Sequence, residues 1–300
     1  MSRLHGWLVI DKPVGPTSAA VVGRLKRALR EAGHGRVKIG HGGTLDPLAS
    51  GVLPVALGEA TKLAGHLLDG PKAYRFTIRF GAATETDDAE GAVVATSPVR
   101  PSAAEVAAVL PRFTGPISQR PPAYSALKVE GRPAHARARA GETVTLAERP
   151  VTIHALELES SDGETATLRV RCSKGTYVRS LARDIAEALG TRGHVVALRR
   201  VEAGPFAEAD AVPLDKAVEL VHGPAPEQAL LPLAAGLVDI PVLAVTAGEA
   251  NRLKHGQPLP GPRAKSGLHL ATLGPVPVAL VEVSPHGVTV VRGLNLEGDA

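Results

Sequence analysis

The sequence predicts an α+β fold with a small β-rich module at its end. Strand and helix patterns are interspersed in the main part of the chain without regular βαβ alternation. Lys72–Phe80 (KAYRFTIRF) alternates with the period of a half-buried strand: Tyr74, Phe76, Ile78 and Phe80 on one face, Arg75, Thr77 and Arg79 on the other. After Thr246 one capped helix is followed by three short strands, a module of about 60 residues near the lower size limit for independent folding. The 300 residues suffice for about two domains, expected at 1–240 and 241–300.

Each element has its own signal. Gly6–Lys12 reads as a short strand ended by Pro13. Thr17 or Ser18 can cap a helix that runs to about Ala32 and stops at Gly33. Val21, Val22, Leu25 and Leu29 line one face of it and basic residues the other. Val52–Leu57 reads as a buried strand, Glu59–Leu68 as a helix and Ser102–Leu110 as a short helix. Pro121–Gly141 is rich in Pro, Arg and Ala and reads as a long irregular functional loop. Val151–Glu159 and Thr165–Cys172 form a hairpin around Ser161-Asp162-Gly163. Thr176–Leu189 is a helix ended by Gly190, and Val195–Val201 a strand. Pro213–Leu237 is a helical connector broken by prolines. Thr246 to Glu249 is a capping box, its helix stops at Gly256, and Leu268–Leu273, Val278–Val283 and Val288–Arg292 are the closing strands.

Composition narrows the function. The single cysteine, Cys172, excludes a disulfide within the chain and a cysteine-cluster zinc site, and fits a reducing compartment. The N-terminal apolar run is too short for a signal peptide, and no stretch has the length of a membrane helix, so a soluble cytoplasmic protein is expected. Net charge is +4, unevenly spread. Arg24, Lys26, Arg27, Arg30, Arg36 and Lys38 lie between Val22 and His41 against Glu31 alone. Segments 111–150 and 171–200 are also basic. Three basic segments separated by acidic ones suggest a basic face for a polyanion, most simply nucleic acid.

Several chemistries find no motif. The chain has no GxxxxGK[ST] loop, no GxGxxG after a strand, no HExxH and no GxSxG elbow, and its histidines lack ligand spacing. Asp87-Asp88 with Glu90 reads as an acidic turn rather than a magnesium cluster. What remains is GHGGTLDPLASGVLP, residues 40–54, in which Asp46 is the only acidic residue. A carboxylate so placed can be a nucleophile, a general base or a structural cap. Two further segments carry chemistry: Tyr74 on its strand, and Tyr177 with Arg179 at the first turn of a helix in CSKGTYVRSLARDIAEALG.

GHGGTLDPLASGVLPVALGEATKL resembles the catalytic motif of the bacterial TruB-type pseudouridine synthases, which act on uridine 55 of tRNA. The resemblance continues in order through GWLVIDKPVGPTS, KAYRFTIRFG, QRPPAYSALKVEGRPAHARARAGE, the Tyr177 segment and ALRRVEAGPF, about residues 6–206. It implies a catalytic domain with a mixed, mainly antiparallel sheet, an insert at 111–150 and the 213–237 connector, closed by a PUA-like RNA-binding module. It implies Asp46 as catalytic nucleophile, Tyr74 stacked on the target uracil, Tyr177 against the flipped nucleotide and Arg179 paired with Asp46. It further implies that His41 contacts the RNA and Leu198 closes the pocket, although taken singly these two read as a loop histidine and a core leucine. Tyr124 and Lys128, in the PPAYSALK motif, are expected to position the loop.

The implied reaction turns uridine into pseudouridine: the N-glycosidic bond breaks and C5 of the rotated uracil bonds to C1′. Nothing is oxidised and no group is supplied, so no cofactor and no metal are expected. The expected partner is the T stem-loop of tRNA, with no membrane and no obligate protein partner. A guanidinium beside a carboxylate favours its charged form; an aromatic face holds the detached base by stacking, worth roughly 1–3 kcal/mol; and basic segments offset the cost of flipping the base. Two other readings stay open, a guide-RNA-dependent pseudouridine synthase and a non-catalytic tRNA-binding or tRNA-folding protein. A retaining glycosidase would need a second carboxyl near Asp46. The chain departs from the family pattern at Gly42 (commonly Thr), Ala19-Ala20 (usually His-Asp) and His135-Ala136 (often Tyr-Glu).

Overall fold

The computed structural model describes residues 4–296 apart from 126, 130, 141, 143–145 and 262. The chain divides into two compact units, one holding the residues up to Leu45, Val52–Leu68 and those from Ala203 onward, the other Asp46–Gly51 and Asp69–Glu202.

The first unit is built on strand Gly6–Lys12, whose run Trp7-Leu8-Val9-Ile10 is buried on both faces. Val212–Pro213 pairs parallel with it. Helix Ser18–Glu31 starts where its cap predicts, with Thr17 Oγ1 accepting from the amide of Ala20 at 3.1 Å. Val21, Leu25, Ala28 and Leu29 form its buried face, which packs on helix Leu214–His222. Strand Ile39–His41 runs antiparallel to Val55–Leu57. The helix expected at Glu59–Leu68 is instead a 3₁₀ turn, Gly58–Lys62, followed by the short helix Ala64–Asp69. Two interactions favour the tighter turn: Thr61 Oγ1 donates to the carbonyl of Gly58 at 2.7 Å, and the amide of Leu63 donates to the carbonyl of Ala60.

The closing strands belong to this unit. They form a five-stranded sheet in the order Val242–Ala244, Gly267–Leu273, Val276–Ser284, Gly287–Gly293, Leu259–Pro260. The sheet buries both faces. Ala271, Val281, Val283 and Val288 pack with Ala250 and Leu253 of helix Ala247–Lys254. Leu270 and Leu280, of opposite parity, join Trp7, Val9, Leu63 and Phe206 in a second cluster. Trp7 anchors that cluster, donating Nε1–H to the carbonyl of Leu233 at 3.0 Å with its ring 5.7 Å from that of Phe206. The capping box at Thr246 and Glu249 is present in both directions.

In the second unit the strands run in the order Ala49–Gly51, Gly193–Ala203, Lys72–Phe80, Thr165–Cys172, Arg149–Ser161, Gly115–Gln119. The first pair is parallel; the last three pairings are antiparallel. Phe76, Ile78 and Phe80 are buried and Arg75 and Arg79 exposed, the alternation the sequence carries. The turn of the long hairpin is fixed by Asp162, whose carboxylate accepts from the amides of Glu164 and Thr165. Helix Val178–Ala188 lies so close to the sheet that a Cβ at Gly193 would come within 2.8 Å of Ala186 Cβ. The expected irregular loop 121–141 carries a two-stranded ribbon, Lys128–Val129 with Arg132–Pro133, and a helix, Ala134–Arg139. Gly141 and the side chains of Lys128 and His135 lie outside the described residues.

The α+β class is as expected, with both strand directions present. Among the described residues no helix is long and apolar enough to cross a membrane.

Candidate active site

Asp46 opens the second unit. On its N-terminal side Leu45 is pinned by Ser18, whose hydroxyl accepts from the amide of Leu45 at 2.8 Å and donates to its carbonyl at 3.1 Å. On its C-terminal side the amide of Ala49 donates to the carbonyl of Asp46, starting strand Ala49–Leu57. The backbone of the aspartate is therefore held on both sides while its side chain stays 40% exposed.

Arg179 Nη2 lies 2.9 Å from the Asp46 carboxylate, and this arginine side chain is only 7% exposed. A buried guanidinium must have its remaining N–H groups satisfied. Here Nη1 donates to the carbonyl of Thr86 at 2.9 Å and sits 3.3 Å from the Asp88 carboxylate, and Nη2 donates to the carbonyl of Tyr124 at 3.1 Å. Asp88, 3% exposed, is fixed in turn by the hydroxyl of Thr86 at 2.5 Å and the amide of Glu90 at 3.0 Å. The acidic turn is thus part of the site: Arg179 bridges a buried carboxylate and an accessible one. Sequence reading sets Asp88 aside because its partner is some ninety positions away, as the Arg179–Thr86 separation of 93 illustrates.

Arg179 owes its place to the start of its helix. Gln119 clamps the backbone of Tyr177, accepting from its amide at 2.8 Å and donating to its carbonyl at 3.1 Å. One turn further on, Ser180 and Arg183 both donate to the carbonyl of Arg120. Arg183 also pairs with Asp87 at 2.9 Å, and Asp87 adopts φ +58 at the turn before Asp88. Gln119 is a second residue the sequence reading misses, since nothing in QRPPAY marks it as a helix cap.

Tyr74 and Tyr177 complete the cluster. Each is close enough to Asp46 to feel its charge. Burial pushes the Tyr74 hydroxyl above its ordinary pKa, opposed by a hydrogen bond and charge from Arg200. Burial likewise raises Tyr177. Leu198 is buried on strand Gly193–Ala203, paired with Ala49. Its neighbour but one, Arg200, faces the same way and is 1% exposed. Arg200 stands opposite Gly51, whose φ is +98 and whose Cβ, if it had one, would lie 2.2 Å from the Arg200 carbonyl oxygen. Lys72 and Cys172 face each other across neighbouring strands. Burial, then the charge of Arg200, lowers Lys72 to about 8, and burial raises Cys172 to about 11. His41 belongs to the first unit, half-buried at the end of strand Ile39–His41 opposite Val55.

The three basic segments differ. In 111–150 and 171–200 many cations are engaged by carboxylates: Arg120 with Glu148, Arg137 with Glu142, Lys174 with Asp69, Arg192 with Glu187. In the first segment Arg24 pairs with Asp215, but among the described residues no carboxylate lies at ion-pair distance from Lys26, Arg27, Arg30, Arg36 or Lys38. These five line one groove of about 1110 Å³, with no acidic residue in its wall.

A solvent-accessible carboxylate held by a buried arginine, with two tyrosines beside it and an apolar residue on the adjoining strand, is a site for carboxylate chemistry on a flat, stackable ring. Residues 26–178 match the family described as TruB family pseudouridylate synthase (N terminal domain), and residues 179–237 the tRNA pseudouridylate synthase B C-terminal domain. A protein of Novosphingobium aromaticivorans named tRNA pseudouridine synthase B is 56% identical, covering 98% of each chain. Its namesake in Zymomonas mobilis is 53% identical over 97% of this chain and 96% of its own. Among solved structures, a Cbf5-Nop10-Gar1 complex superposes with a TM-score of 0.74 at 28% identity, covering 99% of this chain and 85% of the other. An H/ACA ribonucleoprotein bound to a substrate RNA containing 2′-deoxyuridine gives 0.75 at 26%, covering 98% and 86%. Family models and relatives together define a pseudouridine synthase. More narrowly, the chain belongs to the TruB family of pseudouridylate synthases.

Proposed function

We propose that this chain isomerises the T-loop uridine of tRNA, position 55, to pseudouridine, acting alone in the cytoplasm with Asp46 as its nucleophile. The observation that carries the reading is the bridge Asp46–Arg179–Asp88. Arg179 holds the partly exposed Asp46 carboxylate in place, and Asp88 keeps Arg179 from turning away. The target nucleotide is flipped out of its loop so that its uracil stacks on Tyr74, with Tyr177 and Leu198 lining the pocket and His41 contacting the RNA. Asp46 attacks the sugar or the base, and the N1–C1′ bond breaks. The uracil turns, C5 bonds to C1′, the bond to Asp46 breaks to restore the carboxylate, C5 loses its proton and N1 gains one, so product and substrate are isomers.

The basic groove supports an RNA substrate, because cations with no carboxylate at ion-pair distance among the described residues are available to phosphates. Lys254, at the end of the helix in the closing module, lines an adjoining cavity together with Arg36 and Lys38. That supports reading residues 241–300 as an RNA-binding, PUA-like domain. The guide-dependent alternative is disfavoured: the Cbf5-containing structure is 28% identical, whereas relatives named for tRNA reach 53–56% over nearly the whole chain.

The test is tritium release from a tRNA transcript labelled at C5 of uridine, with purified protein and no added cofactor. Release confined to one T-loop uridine, and lost in Asp46→Ala, is the expected result. No release from well-folded tRNA would refute the standalone enzyme.

A further inference from the structure

Stacking on a uracil needs only an aromatic ring, and phenylalanine would provide one. Tyr74 carries a hydroxyl as well, in a site that raises its pKa through burial. A hydroxyl removed from water costs stability unless it is hydrogen-bonded. Strand Gly193–Ala203 lies directly beside Lys72–Phe80, and from it Arg200, itself 1% exposed, reaches the Tyr74 hydroxyl with its charge and a hydrogen bond.

The surroundings of Arg200 make the pairing unusual. Lys72 is a second buried cation close enough for the two charges to repel, and it occupies the same strand as Tyr74, two positions earlier. Buried charges are seldom retained for stability, since well-packed apolar residues of similar volume do as well or better. Gly51 narrows the choice further. Its lack of a side chain lets strand Ala49–Gly51 approach the backbone of Arg200, so the strand that begins three residues after Asp46 is registered against the residue that holds Tyr74. Asp46 and Tyr74 are thereby referenced to one backbone position.

We infer that Arg200 is a positioning residue for the isomerisation: it grips the Tyr74 hydroxyl and sets the angle at which the ring meets the target base. This rests on the pseudouridine synthase reading above. Arg200 needs no contact with the substrate, and its effect passes through the phenolic oxygen. A point-charge lysine in its place loses the directional fork of donors.

The experiment is a double-mutant cycle of Arg200→Lys and Tyr74→Phe, read by single-turnover tritium release and by tRNA affinity. Each single variant is expected to slow the bound-state step by about tenfold to a hundredfold, the size of one hydrogen bond to a charged group, with affinity changed by less than about twofold. In the Tyr74→Phe background, Arg200→Lys is expected to cost less than about twofold more, because its handle is gone. Equal costs in both backgrounds would overturn the proposal, as would loss of affinity in place of turnover. Thermal unfolding of each variant identifies a failure to fold. If Arg200→Lys does not fold, Tyr74→Phe alone decides: it keeps the ring, so a parent-like single-turnover rate overturns the proposal. A parent chain that releases no tritium overturns the enzyme reading and this proposal with it.

Discussion

Arg179 is the residue on which the site turns, and its environment sets what substitutions do. Its planar fork reaches Asp46, Asp88 and two backbone carbonyls at once. Lysine keeps the charge and loses that geometry. Arg179→Lys should therefore lower turnover at least about tenfold while tRNA affinity stays near the parent value, measured by single-turnover release and filter binding. Asp88→Ala should act in the same direction and also destabilise by roughly 3–5 kcal/mol, because it leaves a buried cation short of a partner. Lys72 gives a pH signature. Its folded-state pKa, about 8, lies below the ordinary value of 10.5 for an unburied lysine. The folded state thus binds fewer protons than the unfolded state between these values, and this group makes stability rise with pH across that window. Below pH 8 the full burden of burying the ammonium is present. Lys72→Met should therefore stabilise the protein most below about pH 8 and lose that advantage toward pH 10.5, measured by denaturant unfolding across the range.

At the level of elements, the backbone between Asp46 and Leu57 does two jobs: it presents the carboxylate and then dives into a buried strand. Gly51 lies at the junction, with φ +98 and no room for a methyl group. Gly51→Ala should cost more than about 1–2 kcal/mol from the left-handed conformation alone. The melting temperature should fall by several degrees, at about 2–4 °C per kcal/mol. A parent-like melting curve would mean the strand can shift away from Arg200. Local signals carried much of this level. Thr17 and the Thr246–Glu249 box announced two helix starts, and the alternation of Lys72–Phe80 announced its buried face. Asp46, Tyr74, Tyr177 and Arg179 stood out through their motifs, and the structure gathers them. Asp88, Gln119 and Arg200 did not stand out. Each is defined by partners distant in sequence, and a buried arginine in ALRR looks like any charged pair on a strand. The turn at Gly58–Lys62 was hidden for a similar reason. Glu59 looks like a first-turn helix acid, yet it accepts from the amide of Asn295 at 2.7 Å and pairs with Lys62.

For the whole molecule, charge is divided by use. Cations in the second unit largely serve internal ion pairs, whereas five in the first unit line a groove without acidic residues. The combined variant Lys26→Glu, Arg27→Glu, Arg30→Glu should weaken tRNA binding and reduce the slope of log affinity against log salt by about 3. Isomerisation of tRNA already bound should proceed at the parent rate. An unchanged salt slope would remove the groove from the binding surface. Point changes suit this purpose better than deletion of the closing module. Leu270, Leu280 and Leu294 are part of the cluster around Trp7, so truncation after residue 240 would strip the core of the first strand as well as any RNA contact.

That shared cluster also sets an order of events at the ribosome. Trp7 and Val9 emerge early, as do Val52, Ala56, Leu63 and Leu67 of their cluster, but Phe206, Leu233, Leu237, Leu270, Leu280 and Leu294 come later. Most of the second unit, residues 69–202, is made between the two and closes its own hairpins. The strand that carries Tyr74 and the helix that carries Arg179 are therefore synthesised before the cluster around the tryptophan has all its members.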